Sequence, residues 1–185
     1  MTHDPGHEPS HEPSREPGRE PADRPDPFHG FGDDPRSSGA PDPTAVRVDQ
    51  FLPHPPGKVW RALTEPDLIA RWLMPCDFRL EVGHRYTMTG APRPNAGFSG
   101  TTVAEVLAFE PGRMLAVRRQ DASDANRADW TITWTLEPEG RGTRLFLVHE
   151  GFDPDDPLQT MARKIMGAGW RTYVMDALER VVEQL

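Results

Sequence analysis

The sequence predicts an α+β domain, an antiparallel meander closed by a long helix, and three observations predict it. Apolar and polar residues alternate with a period of two through 84–89, 98–109, 113–120, 130–136 and 143–149, and turns marked by glycine or proline separate these runs. Two short stretches with helical spacing directly follow the first strand. A segment from about 157 to 184, free of proline after Pro157, closes the chain with apolar residues at helical spacing. Strands in one block, with helices gathered on one face, give the α+β class rather than alternating βα units.

The 185 residues are not of one kind. Residues 1–45 hold 10 of the 21 prolines and 10 acidic residues against 4 arginines, with no Trp, Tyr or Cys. From His7 to Ala22 a tetrapeptide repeats as HEPS, HEPS, REPG, REPA. Proline at every fourth position removes backbone donors and blocks helix and sheet alike, and the apolar content is too low for a core. Residues 1–44 are therefore expected to be a disordered tail of polyproline-II character, with 45–185 as the folded domain. His3, His7 and His11 would align as metal ligands on a helix, but the prolines forbid that helix. Phe28 and Phe31 are the tail's only aromatics.

Composition removes several functional classes. The single cysteine, Cys76, excludes an internal disulfide framework and a Cys-based zinc cluster. No run approaches the ~18 apolar residues of a membrane helix. The acidic, proline-rich start does not read as a secretory signal, so the expected location is the cytoplasm. Most of the formal net charge of −8 lies in the tail. A near-neutral domain behind an acidic tail repels phosphates, so neither nucleic acid nor membrane is expected as a partner. A domain of this length buries ~68–70% of its unfolded surface and needs no metal or disulfide staple.

The elements follow in order. Val46, Val48, Gln50 and Leu52 alternate with Arg47, Asp49 and Phe51 in a strand ended by Pro53, Pro55 and Pro56. Pro56 suits the first turn of a helix, and Val59, Trp60 and Leu63 follow at helical spacing. Thr64 is expected to cap a second short helix with Asp67 in its first turn and Leu68, Ile69, Trp72 and Leu73 on its apolar side. Residues 77–81 and 84–89 read as strands around Gly83, followed by 98–109 and 113–120 about the Pro111-Gly112 turn. The polar stretch from Asp121 to Asp129 reads as a hairpin loop. Trp130, Ile132, Trp134 and Leu136 oppose Thr131, Thr133 and Thr135 in the clearest alternation of the chain. Beyond the Glu139-Gly140-Arg141-Gly142 turn, Leu145, Leu147 and His149 share a face opposite Arg144, Phe146 and Val148. The last segment reads as one helix with Leu158, Met161, Ile165, Gly169, Tyr173, Val174, Ala177, Leu178, Val181 and Leu185 on its apolar stripe. Gly167 and Gly169 cost that helix about 1 kcal/mol each against alanine, and leave room for a backbone or a bulky group to come close.

Several stretches carry a family resemblance. They are PGKVWRALTEPDLIARW spanning Pro56 to Trp72, Phe78 to Gly83 with Arg85-Tyr86, GTTVAEV from Gly100 to Val106, Pro111-Gly112-Arg113-Met114-Leu115, GTRLFLVHEGF from Gly142 to Phe152, and Gly169-Trp170. Together they resemble the Hsp90-ATPase-activator-homologue (AHSA1-like) branch of the START-like, or SRPBCC, superfamily over about 46–185. The resemblance implies a helix-grip fold, in which a curved antiparallel sheet wraps the long C-terminal helix with a cavity between them. It also implies a functionally mixed branch: ligand binders, cyclases or dehydratases that work in the cavity, and chaperone partners.

Catalytic motifs are thin. The chain has no G-x-S-x-G elbow, no phosphate-binding G-x-x-x-x-G-K-[ST] loop and no H-E-x-x-H. Cys76 as a nucleophile would need His84 or His149 at hydrogen-bond range. Arg85, Glu105 and Arg119 are strand residues that could point inward, and His149 reads either as a satisfied core residue or as a polar anchor in a cavity. Among the five tryptophans, Trp60 and Trp134 read as core. The expected function is binding of a small hydrophobic molecule in the helix-grip cavity without catalysis, by Trp72, Met88, Phe98, Trp130, Leu147, His149, Trp170 and Tyr173. No catalytic residue, metal or cofactor is assigned. The alternatives are a cyclase-, dehydratase- or hydrolase-like enzyme using the same cavity, and an interaction module for a chaperone or other protein partner. The chain is expected to be a monomer or homodimer.

Overall fold

A computed structural model describes Met1 and residues 42–92, 98–122 and 129–185. The expectation of a disordered tail over 1–44 therefore falls, but for Met1 and 42–44, outside the described residues. Strand β1 (Ala45–Leu52) leads to helices α1 (Pro56–Thr64) and α2 (Pro66–Trp72). Strands β2 (Arg85–Thr89), β3 (Thr101–Glu110), β4 (Met114–Asp121), β5 (Trp130–Glu139) and β6 (Gly142–Glu150) follow. Helix α3 (Pro157–Gly169) continues through a π-helical turn, Trp170–Val174, into α4 (Met175–Glu183).

Among the described residues the strands form one six-stranded sheet in the order β1-β6-β5-β4-β3-β2, antiparallel at every pairing. Consecutive strands from β2 to β6 pair with one another, and β1 adds at the far edge beside β6. A register shift between Val106 and Ala108 marks a β-bulge in β3, which bends the strand and increases the local twist. The result is the curved sheet and closing helix of the helix-grip arrangement.

The alternation sorts the sheet as expected. Val46, Val48 and Leu52, then Trp130, Ile132, Trp134 and Leu136, then Leu145, Leu147 and His149 are all buried. Rows of cross-strand neighbours line the inner face: Val46, His149, Ile132 and Val117 in one, and Trp130, Arg119, Ala104 and Tyr86 in the next. At the end of β6, Gly151 takes φ +98°, and a Cβ there would stand 2.8 Å from the carbonyl oxygen of Asp129. Only glycine lets the chain leave β6 so close to the start of β5.

Three local expectations need correction. Residues 77–81 are not a strand. The Asp77 carboxylate accepts the backbone N–H of Thr87 at 2.7 Å, and Glu81 turns back on the Arg79 carbonyl, so the segment carries no ladder beyond a single bridge from Cys76 to Met88. Thr64 does not cap α2. Its hydroxyl donates to the Trp60 carbonyl inside α1, and Glu65 occupies the cap position before Pro66.

The third correction concerns the closing helix. Its buried face runs through Gln159, Ala162, Gly167 and Trp170, not through Leu158, Met161, Ile165 and Tyr173, which are exposed. Two neighbouring stripes satisfy the same helical spacing in this sequence, and packing chooses between them. Gly167 lies so near β1 that a Cβ would sit 3.4 Å from Val46, so the face with the smallest residues approaches the sheet. The π turn then rotates the helix. The N–H of Met175 bonds to the carbonyl of Trp170, five residues back, and beyond it Met175, Leu178, Val181 and Val182 are buried where α4 packs against α1 and α2.

Candidate functional site

Between the closing helix and the wide end of the sheet lies a partly open cavity of about 180 Å³. Its apolar wall comes from Leu73 after α2, Phe98 before β3, Trp130 on β5, and Ala162, Met166, Trp170 and Val174 on the helix, with Ile165 and Gly169 of the expected stripe also on its lining. Its polar corner comes from Thr102 on β3 and from Arg119 and Asp121 on β4. Inner-face parity explains the corner, because Leu115, Val117, Arg119 and Asp121 are successive inward positions. Thr102 stands directly opposite Asp121 in the β3–β4 register.

Trp170 is 3% exposed and its indole N–H donates to Nδ1 of His149 at 3.0 Å. His149 is fully buried, packed edge-on against Trp130 at 5.3 Å between ring centroids and against Phe152 at 4.7 Å. Burial, and secondarily the Arg119 charge, push its pKa down to about 3. With Nδ1 accepting from Trp170, the ring proton sits on Nε2, which is buried without a partner among the described residues. Trp130 is anchored from behind: its N–H faces Oε1 of Gln159 at 3.4 Å, and the same oxygen accepts the N–H of Asp153 at 3.0 Å. Both tryptophans are thus fixed in orientation by buried polar partners rather than by packing alone.

The residues expected to hold a ligand separate into three groups. Phe98, Trp130 and Trp170 line the cavity. Leu147 and His149 are fully buried core residues on β6, with His149 braced against the faces of Trp130 and Trp170. Trp72 and Met88 border a separate void of about 20 Å³ between α2 and the sheet, room for about one water. Trp72 spends its N–H on the Ala62 carbonyl at 2.9 Å, which fastens α2 to α1. Tyr173 is not on the inner wall: it is 73% exposed, because the π turn carries position 174 rather than 173 beneath Trp170.

Of the three polar strand residues considered for the interior, only Arg119 faces it. Arg85, Glu105 and Arg118 form a cross-strand row on the outer face. The sequence does not assign Thr102, Asp121, Ala162 or Met166 to the ligand site. Extending the Leu115–Val117 parity by two steps would have found Asp121. Thr102, Ala162 and Met166 depend on a register and a choice of helix stripe that sequence spacing leaves open. Cys76 is half-buried, and burial pushes its thiol pKa up, away from a reactive thiolate. No group of three or more metal-ligating side chains occurs among the described residues.

Known proteins place this architecture. A family model for "Activator of Hsp90 ATPase homolog 1-like protein" matches residues 53–183. The solved structure of protein MLL2253 from Mesorhizobium loti is similar at 34% identity and TM-score 0.66, over 76% of this chain and 97% of that one. Protein CV1439 from Chromobacterium violaceum is similar at 25% identity and TM-score 0.64, over 77% of this chain and 99% of that one. PFC0360w, an HSP90 activator from Plasmodium falciparum, shares the fold at 14% identity and TM-score 0.59, over 76% of this chain and 96% of that one. No curated protein matches the chain. With the family model spanning most of its length and every element of the helix grip in place, the chain belongs to the Activator of Hsp90 ATPase homolog 1-like family.

Proposed function

We propose that the domain binds a small, largely apolar molecule in the cavity beneath the closing helix and does no chemistry on it. One observation carries the reading: a partly open cavity walled by two oriented tryptophans, with a few polar groups at one end, which is the usual design of a small-ligand site. The volume sets the size. A protein cavity of roughly 150 Å³ lined by apolar side chains stays dry and takes up benzene. The cavity of about 180 Å³ here suits a body of one ring with a small substituent.

The same geometry favours binding over acid–base catalysis. His149 is the histidine nearest the cavity wall, yet its one free lone pair is committed to Trp170, and burial keeps its basicity far below a working general base. The inward position of Trp170 favours a ligand site over a module that reads protein partners through this helix face. Gly169 provides the test. It lines the cavity, and a Cβ built on it meets nothing within 4 Å, so Gly169→Leu places a side chain into open space. Toluene titrated into the wild-type protein should change tryptophan fluorescence. Gly169→Leu should lose that response while its circular dichroism stays native. An equal response in both proteins would place the ligand elsewhere and reject the reading.

A further inference from the structure

We propose that the molecule held in this cavity is a small organic acid, with a one-ring body against Trp130, Trp170 and Phe98 and its carboxylate on Arg119. The inference rests on the ligand-binding reading above and adds the chemistry of the ligand's head group. The state of the Arg119 guanidinium carries it. Among the described residues no ion pair includes Arg119, and its Nε is enclosed with no hydrogen-bond acceptor. Guanidinium stays charged in proteins, so this side chain keeps a full positive charge and a fork of donors at the polar corner of an otherwise apolar cavity. Arg119 is half-buried with no ion pair among the described residues, so a ligand that supplies an anion offsets the cost of desolvating the cation.

The surroundings select the same head group. Thr102 lines the same corner, and its hydroxyl is buried without a partner. The corner therefore offers N–H and O–H donors that lack acceptors. A carboxylate is acceptor-only, and it matches a guanidinium with short, charge-assisted hydrogen bonds. Asp121 also lines the corner, and its Oδ2 accepts the Ser99 N–H at 3.2 Å, which draws that oxygen toward the segment before β3. Ala104, the cross-strand neighbour of Arg119, adds only a methyl beside it. Burial pushes the arginine's pKa down, and the Asp121 charge opposes that shift.

Three probes that share one ring separate the terms: benzoate, its neutral isostere benzamide, and toluene, each titrated into the full chain at pH 7 by calorimetry. Benzoate is expected to bind at least tenfold more tightly than benzamide. Arg119→Gln should bring benzoate down to the benzamide level and leave toluene unchanged, and Thr102→Val should weaken benzoate several-fold. If Arg119→Gln does not fold, the benzoate-to-benzamide ratio of the wild-type protein and the Thr102→Val result decide. Toluene binding with equal affinity for benzoate and benzamide overturns the organic-acid inference and leaves the cavity reading intact. If none of the three probes binds, the cavity reading fails and this inference falls with it.

Discussion

His149 sits in surroundings that an imidazolium cannot share. It is enclosed by Trp130, Phe152 and Trp170, accepts a hydrogen bond on the nitrogen that would take the proton, and feels the nearby positive charge of Arg119. Its pKa is lowered from 6.5 to about 3. Between those values the unfolded chain binds a proton that the folded chain refuses, so stability rises with pH. The contribution is complete above the unfolded pKa and is lost as pH falls toward the folded one. Each pH unit below 6.5 costs about 1.4 kcal/mol, so acidification to pH 5 costs about 2 kcal/mol. That figure depends little on the folded value, provided it lies well below 5. The assay is urea unfolding at steps from pH 7.5 to pH 5, stopping above the range where carboxylates titrate. With a slope of roughly 1–3 kcal/mol per molar urea, the midpoint should fall by about 1 M. His149→Gln keeps a carbonyl oxygen for the Trp170 N–H but cannot titrate, so its pH dependence should be shallower by that amount. Equal slopes in the two proteins would refute the claim that buried, neutral His149 holds this junction.

Two further outcomes follow from the same account. Removing residues 1–44 should leave the melting temperature within a few degrees, since the repeat lacks core-forming residues; a large loss, read by calorimetry, would mean that the tail docks on the domain. Trp170→Phe removes the donor to His149 and leaves a buried acceptor unmet, so it should cost about 1–3 kcal/mol in urea unfolding; an unchanged midpoint would make that hydrogen bond incidental.

What the sequence revealed depended on the period of the element. Strand parity is unambiguous once one residue is placed, so Trp130 to Leu136 and Leu145 to His149 were legible, and Arg119 stood among the inward candidates. A helix is less forgiving. Leu158, Met161 and Ile165 are as well spaced as Gln159, Ala162 and Met166, and nothing local says which row faces the sheet. Gly167 settled it through its contact with Val46, a residue more than a hundred positions away. The π turn is a second long-range effect: it misplaced Tyr173 by changing the angle between successive residues. The failed strand at 77–81 turned on one side chain, Asp77, which claimed a backbone N–H that β-strand pairing would have used. Apart from Asp121, which strand parity reaches, the pocket residues missed in the sequence came from these long-range choices, and Phe98, Trp130 and Trp170 did not.

The central claim is that a one-ring molecule lodges between the closing helix and the sheet, against Trp130 and Trp170. Crystals of the full chain soaked in iodobenzene test it most directly, because anomalous scattering locates the iodine without prior assumption about the site. One dominant iodine peak is expected inside the cavity of about 180 Å³ bordered by Phe98, Trp130, Met166 and Trp170, absent from Gly169→Leu crystals soaked alongside. Iodine peaks confined to the outer surface, with the cavity unlabelled, would contradict it.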